Sequence, residues 1–463
     1  MLRLRHTTII AMSLLYAIAT HARPVLLISV DGLHPDYVLK ADRHGLKVPN
    51  LRAFLEHGSY ATGVLAVVPT VTYPNHTTMV TGAAPAEHGI VSNTTFDPLG
   101  TNRDGWYWYA EDIKVDTLWK RAAQAQIVTA AVNWPVTIGD TNIRFLLPEY
   151  WRASTADDLK LIRALARPEG LLPAMEAKLG TFVDGYIDDL ESDRVRTRFA
   201  VSLLRDHKPG FMAVHLIALD GTQHAEGPFV ESAYRTLEAL DEMIGELTAA
   251  ALAENRGTAI AIVSDHGFIP THTAVNLRKS FVDEGLIRLN VPQPPATPTI
   301  AAWYAQVWSG GAVAAVVLRD GDSAELRTKV STLLARLRSD PANGIARILD
   351  VEAIARDGAF PGAHFLVEFA PGFYLGTALQ GELRTPATSK GTHGYLPERP
   401  EMHASFFIKG EGIATRNNLG IIDMRQIAPT LAGILGVTLP SADRPALPVG
   451  VSGGETAATR PPR

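Results

Sequence analysis

The sequence predicts an α/β fold, a mixed and largely parallel sheet sandwiched between helices with a smaller αβ insertion, on three observations. First, three apolar, β-branched runs each end in aspartate: VLLISVD on Asp31, FMAVHLIALD on Asp220 and TAIAIVSD on Asp265. Continuous apolar runs suit strands buried on both faces, as in a parallel sheet, whereas half-exposed strands alternate. Second, amphipathic helical segments lie between these runs, the alternation that a helix-covered parallel sheet requires. Third, the alternation is interrupted from about Asn276 to Thr388 by a Pro-rich stretch and a separate set of elements. Open α/β sheets bind ligands beyond the carboxyl ends of their strands, so three aspartates placed there are expected to converge on one site.

The chain opens with Arg3 and Arg5, then TTIIAMSLLYAIAT, then small residues. Basic, apolar and small in that order is the pattern of a signal peptide, and the run falls short of the ~20 residues of a spanning helix. Residues 1–22 are therefore expected to be a signal segment, with periplasm or secretion as the address. No later segment is apolar enough for a membrane span. A helix is expected from Val48 to His57, started by Pro49 and stopped by Gly58, and another from Thr117 to Gln126 leads into the strand-like IVTAAVNW. Helices over Ser192–His207 and Glu231–Ala253, with apolar positions at helical spacing, precede the runs ending in Asp220 and Asp265 respectively. A catalytic core of residues 23–275 and 389–440 is thus interrupted by an insertion over 276–388, with a helix near Ala324 to Arg338. The core returns with His393 and HASFFIKG, and 441–463 reads as a loosely held tail.

With 463 residues, 46% hydrophobic and 20% charged, the chain has the composition of a globular protein with a large core. Its net charge of −5, without a basic run, leaves no footprint for a nucleic-acid scaffold, so a nucleotide here is a small-molecule substrate. There are no cysteines, which excludes disulfides and thiolate chemistry. Nothing in the sequence specifies an oligomer.

The chemistry is expected in VVPTVTYPNHTTMVTGAAPAEHGIVSN, from Val67 to Asn93. Pro74 is read as the first position of a short helix closed by Gly82. A hydroxyl before it, Thr70 or Thr72, would face unpaired N–H groups and the positive end of the helix dipole, a place that favours anions. Serine and threonine also cap helices without any catalytic role. What raises this stretch above a cap is a set of carboxylates and imidazoles elsewhere: Asp220 with His224 in LDGTQH, Asp265 with His266 in SDHG, and His393 in GTHGY. These side chains are ordinary zinc ligands, and paired metals suit phosphoryl transfer.

In the order SVDG around Asp31, PTVTYPNHTTMVTG around Thr72, HGIVSN ending in Asn93, LDGTQH, SDHG and GTHGY, the chain resembles the nucleotide pyrophosphatase/phosphodiesterase family of the alkaline phosphatase superfamily. The resemblance runs from about Pro24 to Gly410 and omits much of the insertion. It implies an alkaline-phosphatase-like fold and two zinc ions, one held by Asp220, His224 and His393, the other by Asp31, Thr72, Asp265 and His266. It also implies Thr72 as the nucleophile, forming a phosphothreonine intermediate, and Asn93 as the amide that holds a phosphoryl oxygen. Two departures are Tyr73, where the family often has phenylalanine, and Leu219, where it has proline; neither removes a ligand. The implied substrate is a phosphodiester or nucleotide. Phosphomonoesterase, phosphonate hydrolase and lipid-headgroup phosphodiesterase activities are rivals on the same scaffold, and a non-enzymatic binding protein would be expected to lack a ligand.

Tyr73, which directly follows Thr72, and Tyr150 with Trp151, near where the resembled family carries an aromatic facing its substrate's base, are expected to bind substrate by stacking on a planar base. The cluster from Trp106 to Trp119 fits either the cleft or the core. His215 reads as a satisfied core histidine, His76 and His88 as structural, and Lys390 as an exposed lysine. The sequons at Asn75 and Asn93 read as accidental.

Overall fold

The computed structural model describes residues 22–102, 105–152, 158–185, 187–290 and 298–450, so the expected signal segment lies, but for Ala22, outside the described residues. The central sheet has the order Asn417–Asn418, Gly58–Tyr60, Phe406–Lys409, Ala259–Val263, Val25–Val30, Phe211–Leu216, Thr129–Val132, Phe145–Leu147. The last five strands pair in parallel, while Phe406–Lys409 runs antiparallel to Ala259–Val263. The expected mixed, largely parallel sheet is present.

The first strand explains why its sequence is continuously apolar. Leu26, Ile28 and Val30 pack into one core with the helices Pro49–His57, Leu190–His207 and Glu231–Glu254. Val25 and Leu27, on the other face, meet Met79 and Val80 of the helix Thr72–Thr81, Leu118 and Trp119 of Leu118–Gln124, and Ile427 and Leu431 of Ile427–Leu435. Each such side chain contributes about 1.5–3 kcal/mol on burial, so both faces of the strand are driven into cover. Within Glu231–Glu254 the buried positions Ala233, Leu237, Leu240, Ile244, Leu247 and Ala251 recur at three- and four-residue spacing, the stripe of an amphipathic helix.

Asp220 departs from the expected strand end. The strand stops at Leu216, and Asp220 lies in the first turn of the helix Ala218–Glu226. The reason is local: Asp193 Oδ2 accepts the N–H groups of Ile217 and Ala218 at 2.9 and 2.8 Å, which turns the backbone out of the sheet. One helical turn then places His224 beside Asp220.

Within 276–388 the strands Ala305–Gly310, Val313–Leu318, Phe365–Phe369 and Ile345–Leu349 form a separate antiparallel sheet, covered by the helix Ala324–Ser339. Glu368 on this sheet binds Arg347 at 2.5 Å and Arg399 at 2.8 Å, the second from beyond the insertion. Residues 441–450, read from sequence as part of a tail, bury Leu447 and Val449 in the core; 451–463 lie outside the described residues. No helix among the described residues is long and apolar enough to cross a membrane.

Candidate active site

The helix carrying the candidate nucleophile starts at Thr72, not Pro74, and ends at Gly82 in the left-handed conformation. The two candidate hydroxyls have different surroundings. Thr70 is fully buried, and its Oγ1 donates to the Tyr395 carbonyl at 2.7 Å and accepts Gly394 N–H at 3.0 Å. Gly394 has φ +93°, and a Cβ there would lie 2.1 Å from the Gly310 carbonyl, so this junction admits only glycine. Thr72 is half-buried, and among the described residues its hydroxyl has no hydrogen-bond partner. The Tyr73 N–H, in the first turn of the helix, donates to Asn93 Oδ1 of a distant loop at 2.9 Å, so the Asn93 amide sits at the helix start, and among the described residues its Nδ2 makes no hydrogen bond. His76, one turn on, joins this helix to the sheet: Nδ1 lies 2.9 Å from the Thr72 carbonyl, Nε2 2.8 Å from Ser29 Oγ, and Asp265 Oδ2 is 3.7 Å from Nδ1.

Two groups of potential ligands stand at the ends of the strands. Asp31, Asp265 and His266 offer ligand atoms within 4.8 Å of one another, and so do Asp220, His266 and His393, with His266 common to both. His224, 36% exposed at its side chain, has Nε2 3.5 Å from Asp220 Oδ2. The histidines are oriented alike: Nδ1 of His224, His393 and His266 faces the carbonyl of Gly391 at 2.9 Å, Thr70 at 3.0 Å and Gly267 at 3.3 Å. A carbonyl only accepts, so each Nδ1 carries a proton and each Nε2 presents a lone pair when its ring is neutral; without a cation the His266 imidazole is raised, burial being outweighed by Asp265 and Asp220. Asp265 Oδ1 accepts the N–H groups of Gly32 and His266, both at 3.1 Å. Gly32 is needed there, since φ is +70° and a Cβ would meet Phe268 at 2.6 Å. That leaves Asp31 Oδ1, Asp220 Oδ1, Asp265 Oδ2 and His266 Nε2 buried with no hydrogen bond among the described residues, although Asp265 Oδ2 and His266 Nε2 face each other at 3.1 Å. Buried polar atoms are normally paired, and unpaired ones are costly. Carboxylate oxygens and imidazole nitrogens converging in this way fit divalent cations.

The electrostatics agree. Burial, with Asp265 and Asp220 nearby, pushes the Asp31 carboxyl well above its usual range. Burial also raises Asp220, against the opposing pull of His224 and His266. At Asp265 burial is outweighed by the imidazoles of His266, His76 and His215, which hold its carboxyl well below the usual range. His393 is held well below its usual value by burial and by His266 and His224, which favours the neutral, ligating ring.

Two side chains that sequence reasoning left aside stand next to this site. His215, read as a satisfied core histidine, is 1% exposed and has Nε2 3.1 Å from Asp31 Oδ2. The available signal was a matched pair: Ser29 and His215 are the polar residues of two otherwise apolar strands, and they are partners in register. Glu149 follows the strand Phe145–Leu147, receives the Tyr73 hydroxyl at 3.1 Å and has Oε2 4.0 Å from His215 Nδ1. Burial raises its carboxyl from 4.5 to about 7, against the lowering effects of Tyr73 and Arg196. The folded state therefore keeps a proton that the unfolded chain loses near 4.5, so stability present below that pH is lost as pH rises to about 7. In metal-free protein Glu149 is expected to account for a loss on the order of 3 kcal/mol across that window, and Glu149→Gln to remove that share. Urea unfolding of both proteins at about pH 5 and about pH 8 checks it; an unchanged slope in the variant contradicts it.

The aromatic residues sort differently from expectation. Tyr73, expected to bind substrate, is 1% exposed, edge-on to Trp106 and Trp108 at 5.2 and 6.0 Å, with no face left for a base. Tyr150 and Trp151 are half-buried on the rim of the same cluster. Trp119 instead packs in the core with Trp134 and Phe211. His88 is buried 3.1 Å from Thr78 Oγ1, and Lys390 is exposed and pairs with Glu226 at 2.9 Å. Asn75 is fully buried and bonds Val67 N–H and the carbonyls of Pro69 and Val71.

The fold is alkaline-phosphatase-like. It superposes on murine ectonucleotide pyrophosphatase/phosphodiesterase 5 with a TM-score of 0.63 at 19% identity, covering 90% of this chain and 96% of that one. The human protein of the same name gives 0.63 at 18% identity, covering 93% and 97%. Another structure of the murine protein is of an inactive form in complex with AMP. Residues 25–396 match the family model described as type I phosphodiesterase / nucleotide pyrophosphatase, and the chain belongs to that family. An uncharacterized pyrophosphatase/phosphodiesterase of Schizosaccharomyces pombe is 26% identical over 53% of this chain, and human ectonucleotide pyrophosphatase/phosphodiesterase family member 1 is 24% identical over 53%. The aligned parts are 45% and 23% of those proteins.

Proposed function

We propose that the protein is a two-zinc phosphodiesterase and nucleotide pyrophosphatase, periplasmic or secreted, that hydrolyses phosphodiester or phosphoanhydride bonds of nucleotides through a phosphothreonine at Thr72. The observation that carries the reading is the convergence of buried, unpaired ligand atoms from Asp31, Asp220, Asp265 and His266 beside the helix that starts at Thr72. One zinc would be held by Asp220, His224 and His393, the other by Asp31, Thr72, Asp265 and His266. When bound, the ions supply Lewis acidity toward the nucleophilic and leaving oxygens. Thr72 Oγ1 bonds to phosphorus as the bond to the leaving oxygen breaks, and water then cleaves the threonine ester and restores the hydroxyl. Asn93, tethered by its Oδ1 to Tyr73 N–H, donates from Nδ2 to a non-bridging phosphoryl oxygen. With two zinc ions bound, Asp31, Asp220, Asp265 and an ionised Thr72 hydroxyl would balance their charge. Such a site suits a diester monoanion over a monoester dianion, and Lys390, committed to Glu226, adds no charge. The N-terminal order of basic, apolar and small residues supports export.

Nucleoside-containing diesters are expected to beat simple diesters by roughly tenfold, corresponding to about 1.4 kcal/mol, through stacking on Tyr150 and Trp151. The comparison is kcat/KM for a nitrophenyl nucleoside monophosphate and for bis-nitrophenyl phosphate in wild type and Tyr150→Ala, with nitrophenyl phosphate and a choline phosphodiester added to separate the rival activities. Loss of the preference in the variant supports base stacking. A parallel fall on both diesters makes Tyr150 structural.

A further inference from the structure

We infer that His215 is a positioning residue for Asp31: it holds one carboxylate oxygen so that the other is presented to Asp265 and His266. The inference rests on the proposed metal site and adds a member to it. His215 occupies the strand next to the one that delivers Asp31, and its Nε2 meets Asp31 Oδ2 at 3.1 Å. Asp31 Oδ1 is the oxygen left unpaired, 3.5 Å from His266 Nε2 and within the first ligand group. The two oxygens of one carboxylate are thus divided between a protein donor and the ligand cluster. Without a partner on Oδ2, the carboxylate is free to turn about its terminal torsion, which is broad and has no staggered wells to fix it.

The imidazole is itself fixed from the other sides. A neutral ring carries one N–H, and here Nε2 carries it, toward the charged Asp31 carboxylate, while Nδ1 faces the Asn133 carbonyl at 3.2 Å, at the end of the neighbouring strand, as a close contact and not as a donor. The His76 ring lies at 4.2 Å between centroids and that of Trp134 at 6.5 Å. Glu149 Oε2 stands 4.0 Å from Nδ1. His215 belongs to neither ligand group, and its Nε2 is spent on Asp31, so it acts through that residue and not as a ligand. A buried hydrogen bond of this kind, donated to a ligating carboxylate, is the usual second layer of a metal centre.

Two polar replacements separate this role from packing. The amide of His215→Gln reaches the place of Nε2 and can still donate to Asp31, whereas that of His215→Asn reaches only the place of Nδ1. Zinc binding to metal-depleted protein is measured by competition with a chromophoric chelator, alongside thermal unfolding of each metal-free variant. In His215→Asn, affinity at one of the two sites is expected to fall about 10- to 100-fold, while His215→Gln stays within about threefold of wild type. The site of Asp220, His224 and His393, which His215 does not touch, is the internal control. Wild-type affinity at both sites in His215→Asn overturns the inference, as does an equal loss at both sites in both variants. Wild-type protein that binds no zinc overturns the proposed function instead.

Discussion

Thr72→Ala is expected to lower kcat/KM by roughly 10⁴-fold or more, about 5.4 kcal/mol of lost transition-state stabilisation, while thermal stability stays near wild type. The hydroxyl is half-buried and has no partner within the described chain, so its removal breaks no internal bond. Thr70→Ala is expected to do the reverse. Its hydroxyl spans the Tyr395 carbonyl and the Gly394 N–H, both buried, and its loss should cost about 1–3 kcal/mol of stability with much less effect on turnover per folded molecule. Steady-state kinetics and thermal unfolding of the two variants check the assignment; an active Thr72→Ala with an inactive, stable Thr70→Ala would reverse it.

Removal of metal is expected to reduce activity to below about 1% of the loaded enzyme, with recovery on adding zinc, because in the proposed mechanism nucleophile and leaving group both depend on it. His393→Ala and His224→Ala should each weaken metal at the same site, since both face Asp220. His393 should be the more severe: it is buried and its Nδ1 is fixed by the Thr70 carbonyl, whereas His224 is half-exposed. Activity against dialysis with a chelator, with metal content measured in parallel, checks this. Full turnover in metal-depleted protein would refute it.

Much of the fold was legible because burial on two faces writes itself as an uninterrupted apolar run. Val25–Val30 and Ala259–Val263 are such strands, and the structure places both centrally. The exception is instructive. FMAVHLIALD is apolar to its end, yet the strand closes four residues before Asp220 because Asp193, 27 positions earlier in the chain, captures the backbone there. Nothing local records that contact. The same limit hid His215: a histidine in an apolar run looks like core until the neighbouring strand's register brings it to Asp31. Tyr73 failed in the opposite direction. Adjacency to Thr72 suggested a place in the cleft, but on a helix whose positions after Thr72 are buried, the next side chain turns inward to Glu149 and the tryptophans. The residues whose chemistry is declared by type and motif, Asp31, Asp220, Asp265, His266 and His393, were legible without the fold, and the structure brings them together.

The central claim is a covalent ester on Thr72. Its most direct test is a rapid acid quench during turnover of a nucleotide labelled at the scissile phosphorus, followed by peptide mapping of the protein. The account predicts label in the peptide that contains Thr72, absent from Thr72→Ala and cleared when substrate is exhausted. Turnover with no label on the protein at any time, or label on a different residue, would contradict it.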